Sequence, residues 1–355
     1  MNILNIVSAK IWGGGEQYVY DISVILSKKR IDSYILLDKK SQDLGRKFLG
    51  ITRVFFCDLN NFSWLKSLKF IFMILVKQKI DIINCHSGKM LPLCLLIKKI
   101  KKVKIVLFKH NATLSKHDLW HRYVRHNIDA VVCVSSLVYD LQTRDLTSEE
   151  KDKYVLIQNG INFERFNKYS ILKKNSSKFI LGYAGRIVEN KGIYLLLDVV
   201  KELSKKYDNI EVHIVGSGDK PNLIRLKQYI NDNSLQSIVK YYGIEHDMER
   251  FYKSIDILVV PSIVKEAFGL VICESMYCGT PVITSDSGAQ KEIIVDGING
   301  FIVSDIKNNL YEKIECLYRD RIKLKEVAHN AKFTIENKFN INFTVDKLIN
   351  LYKKI

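Results

Sequence analysis

The feature that most constrains this chain is an alternation of short apolar runs with stretches of helical periodicity, repeated almost from end to end. Apolar runs suited to strands occur at residues 3–7, 33–37, 54–56, 82–86, 104–108, 130–134 and 154–157. Between them lie helix-period segments such as 16–28 and 65–77. Strands separated by helices are joined by long crossovers, which favours a parallel sheet with helices on both faces. The pattern then restarts at 179–184, 211–215, 238–241, 257–260, 281–284 and 300–303. A polar stretch without strand character, 167–178, separates the two series and reads as a linker. The expectation is an α/β chain of two Rossmann-like, doubly wound domains facing one another across a cleft, spanning 1–168 and 169–338. Residues 339–355 form a last helix able to pack on either domain. At 355 residues the chain is long enough for two cores. In such folds ligands sit outside the carboxyl ends of the strands.

Several classes drop out. The longest apolar runs, 70–76 and 90–97, fall far short of the roughly 20 residues that cross a bilayer. The opening residues lack the basic and long apolar regions of a leader and read as a buried strand, so the expected location is the cytoplasm. Seven cysteines form no Cys-x-x-Cys pair, and several sit inside apolar runs, as reduced, buried thiols do. His117 and His121 are spaced to share a helix face but lack the intervening glutamate of the HExxH metal motif, so no metal is expected.

Charge is uneven. Residues 1–170 carry 28 Lys and Arg against 15 Asp and Glu, while residues 171–355 carry 27 against 23. Lysines cluster at 98, 99, 101, 102 and 104, followed by Trp120, Arg122, Tyr123 and Arg125. Such a surface suits nucleic acid, an anionic membrane leaflet or a phosphorylated substrate, and it is equally the solvated face of a lysine-rich chain.

Three segments carry chemistry. The first strand runs into Gly13-Gly14-Gly15 and a helix beginning near Glu16, a turn where backbone amides can approach a phosphate. Its spacing is not that of the GxGxxG dinucleotide fingerprint. The second series opens with Gly185-Arg186 at a strand end and Lys191-Gly192 at a helix entrance, a cationic pair able to grip a diphosphate. The densest run is residues 261–283, with Glu266 in a turn after a buried strand and Glu274 inside an apolar helix that Gly269 starts. A carboxylate there is costly unless it meets a ligand or a partner.

The run with Glu266 and Glu274 resembles the Glu-x7-Glu signature of glycosyltransferase family 4, whose members have the GT-B fold. Other pieces agree in order: Gly13–Glu16, Asn159-Gly160-Ile161, Gly185-Arg186 with Lys191-Gly192, Gly216-Ser-Gly218 and Asp296-Gly297-Ile-Asn-Gly300. The likeness is nearly continuous over 158–303 and sketchy before it. Ala267 stands where glycine is common, and Ser287-Gly288 where a glycine pair is frequent, but no charged ligand-binding position is lost.

The resemblance implies a retaining transferase holding a nucleotide-sugar donor, a UDP-sugar by expectation, in the second domain and an acceptor in the first. Arg186 and Lys191 would grip the diphosphate, Glu266 would position the donor sugar and Glu274 would bind ribose hydroxyls. Amides near Phe268, Gly269 and Leu270 would add donors to phosphate or sugar oxygens. Gly14 and Gly15 would approach the diphosphate from the other side, and His110 matches a family histidine that contacts the donor sugar. No cofactor or metal is expected, and the chain contains no Asp-x-Asp. The expected acceptor is a glycan or a lipid-linked glycan of polysaccharide or lipopolysaccharide synthesis, reached by docking the basic first domain on the inner face of the plasma membrane. Competing readings are a nucleotide-sugar epimerase of the same architecture, a basic nucleic-acid-binding protein and a non-catalytic family member. The first lacks support from the Glu-x7-Glu run, the second lacks any nucleic-acid-binding signature, and the third is disfavoured by the intact charged positions.

Overall fold

Strands form at each of the thirteen short apolar runs expected to be strands, whereas the two longest runs, 70–76 and 90–97, lie in helical segments. The computed structural model describes residues 1–9, 11–59, 64–169, 177–304 and 306–355, with 64 and 306 described by backbone alone. Most of the expected linker, 170–176, lies outside the described residues.

The first sheet comprises β1 (Asn2–Val7), β2 (Asp32–Asp38), β3 (Arg53–Cys57), β4 (Ile82–Cys85), β5 (Lys104–Lys109), β6 (Ala130–Cys133) and β7 (Tyr154–Leu156), in the order β3-β2-β1-β4-β5-β6-β7. The second comprises β8 (Phe179–Ala184), β9 (Ile210–Val215), β10 (Val239–Tyr241), β11 (Ile257–Val260), β12 (Val282–Ser285) and β13 (Phe301–Val303), in the order β10-β9-β8-β11-β12-β13. Each sheet is parallel, and each winds outward in both directions from its first strand. That winding leaves a switch point between β1 and β4 and another between β8 and β11, where ligands bind in this class of fold. β8 and β9 are buried at every residue, as parallel strands covered on both faces must be.

The chain divides into two units, Met1–Gly160 with Ile341–Ile355, and Ile161–Asn340. The first break therefore falls eight residues before the expected one at 168. Residues 161–169 stay with the second unit because the amides of Lys168 and Tyr169 donate to the buried carboxylate of Glu249. The second break falls at 340, since the Ile161 amide donates to the carbonyl of Phe339. The last helix, Ile341–Lys354, belongs to the first unit. Its Val345, Leu348, Leu351 and Tyr352 join Tyr18, Val19, Ile22 and Leu26 of the Gly14–Lys28 helix over Ile3, Ile35, Leu37, Val106 and Phe108 of the sheet.

Two sequence readings change. Five cysteines are buried, but Cys278 is half-buried and Cys316 is exposed. His117 precedes the Leu119–Asn127 helix, whose N-cap is Asp118, so it does not share that helix's face with His121. The His121 ring bonds the Asp118 carboxylate instead.

Candidate active site

In the second unit the backbone does the gathering. Gly192 has φ +74°, and a Cβ there would lie 1.8 Å from the carbonyl oxygen of Pro261. The Ile263 amide donates to the carbonyl of Asn190 at 3.0 Å. These contacts press the turn after β8 against the loop after β11, across the switch point. Lys191 Nζ consequently donates to Glu266 Oε1 at 2.6 Å, and the Ser262 hydroxyl donates to the same oxygen. Glu266 Oε2 has no hydrogen-bond partner among the described residues. Gly288 backs this loop, since a Cβ there would meet the Glu266 backbone at 2.4 Å, and the Ala289 amide donates to the Glu266 carbonyl. The Ser287-Gly288 departure thus keeps the glycine that packing requires.

Gly185 is held against Gly216, whose φ is +144° and whose Cβ position lies 1.8 Å from the Gly185 carbonyl oxygen. Arg186, next in the chain, is exposed and has no ion-pair partner among the described residues. Its charge and that of Glu266 act on one phenol. Burial first, then the Glu266 carboxylate, raises the Tyr183 pKa, and the Arg186 guanidinium opposes them.

Gly269 (φ +114°) caps the Leu270–Tyr277 helix. Among the described residues the amides of Phe268, Gly269 and Leu270 have no acceptor, so a helix N-terminus with its partial positive charge is left unfilled there. The Phe268 ring is buried and meets Phe339 edge-on at 5.7 Å, so its amide and not its ring is what a ligand can use.

Glu274 lies on the same helix with its side chain 6% exposed. Arg165 Nη1 donates to Oε1 at 2.9 Å, and the Tyr252 hydroxyl donates to Oε2 at 2.9 Å. Both oxygens implied for ribose therefore already have protein partners in this structure. Sequence reasoning missed Arg165 and Tyr252. The signal was there, because a carboxylate in an apolar helix demands a donor, and Arg165 stands six residues after the Asn159 motif.

In the first unit, strand periodicity of two puts Asn5, Asn84, His86, Phe108 and His110 on the sheet face covered by the last helix. His110, just past β5, places Nε2 3.0 Å from His86 Nδ1. Burial pushes the His110 pKa down to about 4, and burial together with the neighbouring His110 depresses His86 as well. The glycine turn lies past the carboxyl end of β1. Gly13 caps the Gly14–Lys28 helix, the amides of Gly14 and Gly15 have no acceptor among the described residues, and a Cβ on Gly15 would touch nothing within 4 Å. The chain's own packing therefore leaves that glycine's surroundings open.

An ammonium, a guanidinium, a carboxylate with one open oxygen and a run of unfilled amides suit a ligand carrying both phosphate and hydroxyl groups. Comparison with known proteins narrows this. Residues 12–165 match the family model for Glycosyltransferase Family 4, and residues 164–333 match that for glycosyl transferases group 1. The chain is 28% identical over 319 residues to the capsular polysaccharide biosynthesis glycosyltransferase CapM of Staphylococcus aureus, covering 83% of this chain and 82% of that one. It is 26% identical over 322 residues to the UDP-Gal:alpha-D-GlcNAc-diphosphoundecaprenol alpha-1,3-galactosyltransferase of Escherichia coli, covering 81% and 79%. Among solved structures, Anabaena HepE in complex with UDP-glucose shares the fold with a TM-score of 0.83 at 19% identity, over 100% of both chains. A glycosyltransferase from Rickettsia africae does so at 0.83 and 23% identity, over 99% and 98%. Two family matches that together span residues 12–333, the second covering the motifs that hold Lys191, Glu266 and Glu274, make this chain a glycosyltransferase of the family 4 type with the GT-B fold.

Proposed function

We propose that this chain moves a sugar, with retention of configuration, from a UDP-sugar to a glycan or lipid-linked acceptor in cell-surface polysaccharide synthesis. The observation that carries the reading is the Lys191–Glu266 contact at the β8/β11 switch point, beside the Arg186 guanidinium and the amides of residues 268–270, which have no hydrogen-bond or ion-pair partners among the described residues. Lys191 has three donors, so it can keep Glu266 and still bind phosphate. Breaking the glycosidic bond leaves charge on the diphosphate. Fixed cations aimed there stabilise the transition state more than the ground state, and they meet the need without a divalent ion. Glu266 Oε2 is left to orient sugar hydroxyls. Attack on the same face lets the departing phosphate oxygen take the acceptor's proton. Two relatives, a capsular polysaccharide biosynthesis glycosyltransferase and a galactosyltransferase named for a diphosphoundecaprenol substrate, support this acceptor class.

The same reading places the first unit on an anionic leaflet. Among the described residues no helix is long and apolar enough to cross a membrane. The Trp64–Lys77 helix exposes Leu65, Phe70, Phe72, Met73 and Val76, and the Leu119–Asn127 helix exposes Leu119, Trp120 and Tyr123. The Leu91–Ile100 helix and its C-cap link them, since Nζ of the capping Lys101 donates to the Leu75 carbonyl and Lys99 lies 5.8 Å from the Tyr123 ring centroid. Lys98 and Lys104 pair with Asp129 and contribute less free charge than the sequence suggests.

A thermal-shift screen of UDP-, GDP- and ADP-sugars, followed by transfer assays with EDTA, tests the enzymatic reading. Stabilisation by a UDP-sugar with EDTA-insensitive transfer is expected. Epimer formation from donor alone, or stabilisation by only GDP- or ADP-sugars, would overturn it.

A further inference from the structure

His110, itself half-buried, is one end of a chain of polar side chains that runs into an otherwise apolar sheet face. Asn5 and Asn84 are cross-strand partners on β1 and β4, and both are fully buried. Asn84 Nδ2 donates to Asn5 Oδ1 at 3.0 Å and to the hydroxyl of Tyr352, on the last helix, at 2.8 Å. Asn5 Nδ2 faces the backbone carbonyl of Tyr34 at 3.4 Å. A carbonyl accepts only, so the Asn5 amide is oriented with Oδ1 toward Asn84 and His86. His86 Nε2 lies 3.1 Å from that same Oδ1.

The proton positions then follow one from another. Asn5 Oδ1 can only accept, so His86 carries its hydrogen on Nε2 and its Nδ1 is bare. A bare Nδ1 3.0 Å from His110 Nε2 must receive a hydrogen, so His110 also carries its hydrogen on Nε2. His110 Nδ1, which has no partner among the described residues, is left as an acceptor. Phe108 stacks on His86 at 4.5 Å and covers one face of its ring.

We infer that Asn5 and His86 are positioning residues that lock His110 in the Nε2–H tautomer, so that it meets its ligand through Nδ1 as a hydrogen-bond acceptor. A ligand atom opposite it is then a hydroxyl that donates, not a phosphate oxygen. That last step rests on the transfer reading above, because it assumes a sugar near His110. The tautomer itself does not. The depressed pKa values of both rings keep the network uncharged near neutrality. Tyr352, 268 residues beyond Asn84, ends the relay, so the last helix supplies a polar anchor as well as apolar cover.

Long-range proton–nitrogen spectra of the full-length, 15N-histidine-labelled protein without ligand test this. The chain has 8 histidines, and His86→Phe and His110→Gln assign the two that matter. The expected result is a protonated Nε2 and a bare Nδ1 on both rings. Asn5→Leu should replace the single tautomer of His86 and His110 with a mixture, and His86→Phe should do so for His110. A protonated Nδ1 on His110 in the wild-type protein would overturn the inference, as would a single unchanged tautomer in folded Asn5→Leu. The wild-type spectrum decides the matter even where a variant fails to fold. None of these readouts involves transfer. An inactive chain with the expected tautomers would overturn the functional reading alone, and an active chain with the other tautomer would overturn the relay alone.

Discussion

The ammonium of Lys191 shares a carboxylate oxygen of Glu266 with Ser262, and the two charged side chains are 20% and 17% exposed. A pair so far out of water adds little net stability, because desolvation offsets the attraction, but it fixes where positive charge sits. Lys191→Ala is therefore expected to lower kcat/KM by roughly a hundredfold or more, the usual cost of losing an aimed electrostatic group, and to lower the melting temperature as well, since Glu266 loses its ionic partner. Near-normal turnover in the folded variant would remove Lys191 from its role. His110 makes a second residue-scale prediction. The unfolded imidazole titrates near its ordinary 6.5, whereas in the fold it titrates at about 4. Between those values the unfolded chain binds a proton that the folded one refuses. Stability is therefore complete above about 6.5 and falls as pH drops toward 4. His86, depressed for related reasons, adds to the same slope. Melting temperatures from pH 7.5 down to 5 should decline, and less steeply in His110→Gln; a parallel decline in that variant would contradict the assignment. Lys191 and Glu266 were legible in the sequence because charged residues at strand ends are conspicuous. Asn5 and His86 were not, since a polar residue in an apolar run reads as a lapse in the pattern until its cross-strand neighbour is known.

At the scale of elements, two glycines separate conformation from contact. Gly192 and Gly279 have φ of +74° and +76°, but only Gly192 has an obstructed Cβ position, 1.8 Å from the Pro261 oxygen. Gly279→Ala should cost about 1–2 kcal/mol, the penalty of a left-handed alanine. Gly192→Ala should cost clearly more and also displace Lys191, so that transfer falls along with stability. Equal melting-temperature shifts for the two variants would show that the turn after β8 does not depend on this contact. Strand positions were legible to within about two residues, since full burial in a parallel sheet writes an apolar run into the chain. The path of residues 161–169 was not, because their attachment depends on Glu249, some 80 residues away in sequence.

At the scale of the whole molecule, most of the net charge of +17 lies in residues 1–170. If that charge meets an anionic leaflet, each lysine near the surface contributes about 1 kcal/mol, and salt weakens the attraction. Flotation with phosphatidylglycerol-containing vesicles is expected at low salt, with loss at high salt and with neutral phosphatidylcholine. Lys99→Glu with Lys102→Glu should weaken it. Absence of binding at low salt would remove the docking proposal while leaving the transferase assignment intact.

The sequence alone determined the α/β class, the two strand series, and the ordered motifs carrying Arg186, Lys191, Glu266 and Glu274. Those properties are local, written in periodicity and spacing within a few residues. Tertiary structure decided what joins distant segments: the breaks at 160 and 340, the return of the last helix to the first unit, Arg165 and Tyr252 on Glu274, and the Asn5–His86 relay behind His110. A buried polar atom takes whatever donor or acceptor the fold brings within about 3 Å. That partner is set by sheet order and helix packing, which no single stretch of the chain encodes.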